Sequence, residues 1–125
     1  MSPKDSSKDP TVEELTAKVV AFRDARDWKQ FHPVKDMLLS LSLEVAELSE
    51  HFQWKSEEDS LKYLKEAESK HAVGEELSDI LYWVLLLAND FNIDLPEAFE
   101  QKMAKNATKY NIEKFAGKNK KYNHR

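Results

Sequence analysis

The apolar positions of this chain recur every three to four residues in successive segments, and short polar stretches separate the segments. This spacing is typical of amphipathic helices, in which one face packs against the rest of the protein. The predicted helices cover residues 11–27, 33–54, 56–69 and 75–91, followed by a last helix that begins after Asp94.

Polar residues at the ends of these segments support the helix boundaries. Thr11 with Glu14, and Asp94 with Glu97, have the spacing of capping boxes, and Ser56 precedes three acids as an N-cap residue does. Gly74 is expected to loosen or break the chain between the third and fourth segments. The fourth segment is apolar on nearly every side over residues 80–88, so we expect it to be central or buried at a subunit interface.

The composition agrees with a helical protein. Only two of the 125 residues are glycine, which leaves little turn chemistry for hairpins. We therefore predict an all-α fold, a compact four-helix bundle in which the 56–69 segment is an extra or extending piece, assembled as a dimer or a dimer of dimers. The predicted organisation is a disordered N-terminal lead (1–10), a helical domain (11–112) and a basic flexible C-terminal tail (113–125).

Charge and cysteine content narrow the classes of function. The sequence has no cysteine, which excludes disulfides and thiolate metal sites and fits a reducing, cytoplasmic setting. The net charge of -4 gives no overall attraction to a nucleic acid polymer. Residues 1–10 contain no apolar stretch, so we expect neither a secretory signal nor a membrane anchor.

Two pairs of acidic residues carry the candidate chemistry. Glu44 and Glu47 lie on the second predicted helix, and Glu76 and Asp79 lie on the fourth. The i, i+3 spacing puts both carboxylates of a pair on one helix face, beside the apolar arc. If the two helices pack antiparallel, the four acids converge. An alternative interpretation is that each pair is simply solvated.

Four carboxylates brought together in a partly buried place would repel one another and take up protons unless cations lay between them. Oxygen-only ligands favour Mg²⁺, with Mn²⁺ as a possible substitute, and Mg²⁺ commonly shares its ligands with substrate phosphates. A triphosphate is thus a natural ligand for such a cluster, and the implied chemistry is metal-assisted attack of water on a phosphorus. Glu47 is our candidate to assist deprotonation of that water.

Aromatic, basic and amide side chains elsewhere could bind such a nucleotide. Tryptophans can stack on a base, lysines can contact phosphate as point charges, and the start of the second helix favours anions. The candidates are Trp28, His32, Lys35, Trp54, Trp83, Lys102, Asn106, Lys109, Lys121 and Tyr122. An alternative for the tryptophans is burial in a core or interface. An alternative for the lysines is that they are simply solvated.

Four motifs together resemble a known family. They are RDWKQFH at 26–32, EVAEL at 44–48, FQW at 52–54 and EELSDIL at 75–81. In this order they resemble the MazG-like branch of the all-α NTP pyrophosphohydrolases, particularly its small dCTP pyrophosphatase type. The resemblance implies hydrolysis of a (d)NTP, dCTP or another dNTP, to the monophosphate and pyrophosphate, as a nucleotide-pool cleansing activity.

The resemblance also implies roles for individual residues. The two acidic pairs match the E-x-x-E and E-x-x-D motifs that hold Mg²⁺ in the family. Trp28 and Trp54 match positions near the base, and Asn106 matches a polar residue that reads it. The family implies a homotetramer or homodimer in which helices of neighbouring subunits complete each site. The sequence departs from the family pattern at Val19, Asp36 and Trp83, and these departures bear on which base the protein prefers.

Two other interpretations compete with the enzyme. A di-iron carboxylate bundle needs two E-x-x-H pairs, and the sequence offers only Glu68 with His71. A non-enzymatic helical protein-interaction module would use the apolar fourth helix and the tryptophans as its interface. Such an interface has no need of four carboxylates beside its apolar arcs.

Overall fold

The computed structural model describes residues 8–117, which form helices and turns and contain no strand. The all-α prediction is confirmed. The helices are α1 (Val12–Ala25), α2 (Val34–Glu50), α3 (Glu57–Lys65), α4 (Ala67–Asp90), α5 (Leu95–Lys109) and α6 (Ile112–Phe115), with a 3-10 turn at Lys29–Phe31 between α1 and α2. None of the helices within residues 8–117 is both long enough and apolar enough to cross a membrane.

The chain divides into two compact units, one ending at Phe91 and one beginning at Asn92. In the first unit α4 is the central helix, and α1, α2 and α3 all pack against it. Its core consists of buried apolar side chains on α2 and α4: Met37, Val73, Leu85, Leu86 and Ala88. The second unit contains α5 and α6, and the rings of Tyr110 and Phe115 meet edge to face within it.

Polar caps fix the helix starts as the sequence predicts. The Thr11 hydroxyl accepts from the backbone N–H of Glu14, and the Glu14 carboxylate accepts from the N–H of Thr11, both at 3.1 Å. The Ser56 hydroxyl accepts from the N–H of Asp59 at 3.1 Å, and the Asp94 carboxylate caps α5 in the same way. These bonds satisfy backbone donors that the first helical turn leaves free.

The predicted break at Gly74 is wrong. α4 runs without interruption from Ala67 to Asp90, and the chain leaves helical geometry at Glu66 instead, whose ψ is 132°. A glycine inside a helix costs only about 1 kcal/mol relative to alanine. Because α4 packs against three other helices, that cost is readily offset.

Two further expectations differ from the structure. The second helix ends at Glu50 rather than at residue 54, and residues 51–54 form a turn in which Trp54 has a left-handed φ of 67°. On α5, Phe99 and Met103 have the spacing of an inner helix face, but their side chains are 65 % and 50 % exposed. An apolar helix face that the sequence predicts is therefore not always buried within the same chain.

Replacing Gly74 by alanine should stabilise the protein. An added Cβ would meet no atom within 4 Å, and the position is helical. We expect the free energy of unfolding to rise by about 0.5–1 kcal/mol, as alanine restricts the unfolded chain more than glycine does. Urea denaturation of Gly74→Ala against the wild type measures this, and a loss of stability would show that another chain covers this surface.

Candidate functional site

Three acids meet where α2 packs against α4. Glu44, Glu47 and Glu76 each offer a carboxylate oxygen, and these oxygens lie within 4.8 Å of one another. Glu44 and Glu76 are half-buried, whereas Glu47 is exposed. The i, i+3 spacing on α2 and the packing of α2 on α4 produce this convergence, as the sequence predicts.

Asp79, one turn after Glu76, stands at the edge of this cluster. It is exposed and lines a cavity together with Glu44. Its charge is one of the causes that raise the pKa of Glu44. The fourth predicted acid therefore lies within electrostatic range of Glu44 and Glu76, although it does not belong to the closest three.

The cluster is electrostatically unfavourable as it stands. Burial raises the pKa of Glu44 to about 7, and the charges of Glu47 and Asp79 act in the same direction. Burial and the charge of Glu47 also raise the pKa of Glu76. Repulsion between like charges in a poorly solvated place makes the ionised forms costly.

The acids fit a hard divalent cation. The Oε2 atoms of Glu44 and Glu76 are both buried, and neither has a hydrogen-bond partner among residues 8–117. A buried carboxylate oxygen without a donor is costly, and a cation would satisfy it. Because every ligand in the cluster is a carboxylate oxygen, the set suits Mg²⁺ or Mn²⁺ rather than a metal that prefers nitrogen or sulfur.

A cavity of about 620 Å³ adjoins the acids. Its volume is in the range of small-molecule sites. Helices α1, α2 and α4 and the loop between α1 and α2 supply its lining, which is Lys18, Val19, Phe22, Trp28, His32, Glu44, Asp79, Tyr82 and Trp83. Two carboxylates thus share one cavity with a mainly aromatic wall.

The aromatic wall is a connected series of edge-to-face contacts. Phe22 meets Trp28 at 5.8 Å between ring centroids and Tyr82 at 6.1 Å. Tyr82 in turn meets Trp83 at 5.1 Å, and Trp83 meets His32 at 5.0 Å. Such packing fixes the rings in place, so the wall is preorganised to hold a flat, aromatic ligand.

His32 adds an unsatisfied polar atom to this wall. Its Nδ1 is buried and has no hydrogen-bond partner among the described residues. Burial, followed by the charge of Arg23, lowers the pKa of His32 and favours the neutral ring. A neutral imidazole can donate or accept according to its tautomer, so His32 can form a directional hydrogen bond to a ligand.

A buried ion pair joins α1 to the end of α4. The guanidinium of Arg23 on α1 donates two hydrogen bonds to the carboxylate of Asp90 at the end of α4, each at 2.8 Å. Arg23 is 1 % exposed and Asp90 is 9 % exposed. The pair fixes α1 against α4, and both helices contribute to the cavity wall.

The structure brings some of the predicted substrate contacts together and leaves others apart. Trp28, His32 and Trp83 line the cavity. Lys35 is exposed and does not line it, and Trp54 is 93 % exposed on the turn after α2. The remaining candidates lie elsewhere in the chain: Lys102, Asn106 and Lys109 on α5 in the second unit, and Lys121 and Tyr122 outside the described residues.

Several lining residues were not among the predicted contacts. Lys18 and Phe22 extend the cavity wall on α1, and Tyr82 lies between Asp79 and Trp83 on α4. Tyr82 follows Asp79 by three residues, so its position on the same helix face is detectable in the sequence. Lys18 and Phe22 were not assigned, because helical spacing identifies the apolar face of α1 but does not show which of its side chains border a cavity.

The charge on Glu44 should make the metal-free protein less stable as the pH rises. Because its pKa rises on folding from 4.5 to about 7, the folded state is favoured below pH 4.5, and that advantage is lost as the pH rises through 7. His32, whose pKa falls on folding, acts in the opposite direction, so the wild type alone does not isolate the effect.

The comparison with Glu44→Gln isolates it. In EDTA we expect the melting temperatures of variant and wild type to agree at pH 4 or below, where Glu44 is largely protonated in both the folded and the unfolded state. At pH 8 the variant should melt about 5 °C higher. The exposed Glu50 on the same helix supplies the control, since Glu50→Gln should have no such pH-dependent effect. Equal melting temperatures at pH 8 for Glu44→Gln and the wild type would show that ionised Glu44 does not destabilise the folded protein.

Comparisons with known proteins agree with this geometry. The family model described as MazG-like matches residues 39–124. dCTP pyrophosphatase 1 of Bos taurus is 39% identical over 116 residues, which cover 93% of this chain and 69% of that protein. The Homo sapiens protein of the same name is 36% identical over 116 residues, with 93% and 68% covered.

A solved structure points the same way. The crystal structure of a pyrophosphatase from Archaeoglobus fulgidus superposes with a TM-score of 0.75 at 38% identity, covering 82% of this chain and 94% of that one. The resemblance that the sequence motifs suggest is thereby confirmed. This chain belongs to the MazG-like family.

Proposed function

We propose that this protein is a nucleoside triphosphate pyrophosphohydrolase that hydrolyses dCTP or another dNTP to the monophosphate and pyrophosphate. One observation carries the proposal: an aromatic cavity ends at a carboxylate cluster in which two buried oxygens have no partner among the described residues. An aromatic wall suits a base, and a cation-binding end suits a triphosphate. Relatives named dCTP pyrophosphatase 1 support the same reaction class.

In this proposal Glu44, Glu47, Glu76 and Asp79 hold Mg²⁺, for which Mn²⁺ could substitute. Bound Mg²⁺ would neutralise charge on the phosphates and lower the pKa of a water molecule. The protein's own contribution is to hold four acids rigidly on two packed helices. Glu47 is the exposed member of the closest three, so it is accessible to water and is our candidate to accept the proton.

The base and sugar would occupy the aromatic part of the cavity. Trp28 and Trp83 offer ring faces and edges, and the buried Nδ1 of His32 offers one hydrogen bond that can distinguish bases. Burial of the base there would hold the α phosphorus near the acids. Orientation of this kind is a large part of catalysis of phosphoryl transfer.

We further propose that the site is completed by a second copy of the chain, in a dimer or a dimer of dimers of compact four-helix bundles. The support is apolar surface that one chain leaves uncovered: Leu39 and Leu43 on α2, Leu77 on α4 and Trp54 after α2 are more than half exposed. Such a surface on two packed helices favours self-association. Trp54, Lys35, Lys102, Asn106, Lys109, Lys121 and Tyr122 remain proposed substrate contacts within that assembly.

Incubation with a panel of canonical and modified NTPs and dNTPs in Mg²⁺ tests the proposal. Pyrophosphate and monophosphate should form from one or a few of the nucleotides, and EDTA should abolish both products. The exposed acid Glu75 gives a control, since Glu75→Ala should retain activity while Glu76→Ala loses it. Absence of product from every nucleotide would instead favour the non-enzymatic interaction module, which the exposed leucines would also suit.

A further inference from the structure

A histidine and a tyrosine outside the four acids form a contact with the cluster. His51 follows α2 by one residue, and its Nδ1 lies 2.5 Å from the hydroxyl of Tyr63 on α3. Its other ring nitrogen, Nε2, lies 4.0 Å from Oε1 of Glu76. The three side chains thus form a series from α3 to the acid cluster, and neither His51 nor Tyr63 lines the cavity.

Packing holds the ring of Tyr63, whose hydroxyl contacts His51. The Tyr63 and Phe52 rings meet edge to face with 5.6 Å between their centroids. The ammonium of Lys55 lies 4.4 Å from the centroid of the Tyr63 ring. Lys55 also donates a hydrogen bond to the backbone carbonyl of His51. The His51 and Glu76 side chains are 22 % and 20 % exposed, so water only partly screens the pair. One ring nitrogen of His51 therefore contacts the fixed Tyr63 hydroxyl, and the other faces Glu76.

The chemistry of the three groups selects one arrangement of protons. If the Tyr63 hydroxyl donates to Nδ1, the neutral imidazole carries its proton on Nε2, which faces Glu76. The opposite tautomer would turn a lone pair toward the Glu76 carboxylate, which is repulsive once that carboxylate is ionised to bind a cation. The favoured tautomer thus directs an N–H toward Oε1 of Glu76, while Oε2, the buried oxygen without a partner among residues 8–117, stays available.

We propose that His51, held by Tyr63, is a positioning residue that orients the Glu76 carboxylate for cation binding. The proposal rests on the proposed function, because Glu76 must be a metal ligand for its orientation to matter. A ligand carboxylate whose second oxygen faces a donor loses rotational freedom before the metal arrives, which raises affinity. α3 would then contribute to the metal site through Tyr63, although none of its residues is among the four acids.

The chain offers a matched control for this contact. His71 and Glu75 lie on the same helix as Glu76 and form another histidine–carboxylate pair, with 3.3 Å between Nε2 and Oε1. That pair is 78 % and 68 % exposed and is not part of the acid cluster. His71→Leu therefore removes the same kind of interaction without changing the support of Glu76.

Binding of Mn²⁺ alone, measured by calorimetry and by electron paramagnetic resonance of the free ion, tests the proposal. Loss of an outer contact typically weakens metal binding by 10–100-fold, so we expect His51→Leu to weaken Mn²⁺ binding by about tenfold. His71→Leu should bind as the wild type does. His51→Gln, whose amide can donate toward Glu76 and accept from Tyr63, should restore most of the affinity.

Tyr63→Phe keeps the proposal testable if His51→Leu fails to fold, because it deletes only a hydroxyl and should also weaken Mn²⁺ binding. Metal-free melting curves separate folding from metal affinity. Equal affinities for wild type, His51→Leu and Tyr63→Phe would overturn the positioning role and leave the proposed function standing. Failure of His51→Gln to exceed His51→Leu would also overturn it. No binding to the wild type would overturn both.

Discussion

Glu47→Ala is expected to reduce pyrophosphate release from the preferred dNTP by on the order of a thousandfold or more, because it removes both a proposed ligand and the candidate base. The fold should survive. Glu47 is exposed, and its charge raises the pKa values of Glu44 and Glu76, so its removal relieves repulsion in the metal-free protein. Turnover in saturating Mg²⁺ and melting in EDTA measure the two effects.

The matched control is Glu50→Ala, one turn further along α2. Glu50 is exposed and is not part of the acid cluster, so its removal should leave turnover within about twofold, as for a typical surface substitution. If Glu47→Ala retained activity close to that of Glu50→Ala, neither the ligand role nor the base role of Glu47 could stand.

Asp90→Ala is expected to cost about 3–5 kcal/mol in the free energy of unfolding at pH 7, because it leaves the guanidinium of Arg23 buried without its partner. The arginine is 1 % exposed and makes both of its 2.8 Å bonds to this one carboxylate. Those bonds hold the pKa of Asp90 below its usual 3.8, so the stabilisation is present at neutral pH and is lost only as the pH falls below that value.

Urea denaturation of the wild type and three variants separates the contribution of this pair from that of a surface ion pair. Lys62→Ala breaks the exposed Lys62–Glu58 pair and should cost no more than about 0.5 kcal/mol. Joint replacement by Arg23→Met and Asp90→Leu should recover much of the loss, since no unpaired charge is then buried. A cost for Asp90→Ala as small as that for Lys62→Ala would show that α1 is not fixed through Arg23.

Local patterns predicted much of the fold. The starts of α1, α3 and α5 were identifiable because Thr11, Ser56 and Asp94 cap backbone donors within three residues of themselves. The break before α4 was misplaced, since the cost of one glycine is small beside the packing of a central helix. Helix ends also depend on turns such as the one at Trp54, whose left-handed φ no periodicity reveals.

The acid cluster was predictable for the same local reason, because i, i+3 spacing fixes two acids on one face and each pair adjoins an apolar arc. Contacts between distant segments were not predictable from the sequence. Arg23 and Asp90 are separated by 67 residues, and each alone is an ordinary polar residue at a helix end. The cavity forms only when α1, α2 and α4 come together, and the spacing of apolar residues within α1 does not show which side chains border it, which is why Lys18 and Phe22 were missed.

The position of water attack tests the central claim most directly. Hydrolysis of the preferred dNTP in water enriched in oxygen-18, with Mg²⁺ present, followed by mass spectrometry of both products, locates the new oxygen. Attack at the α phosphorus places one oxygen-18 atom in the monophosphate and none in the pyrophosphate, which is the result we predict. Label in the pyrophosphate, or release of orthophosphate in place of pyrophosphate, would contradict the proposed reaction.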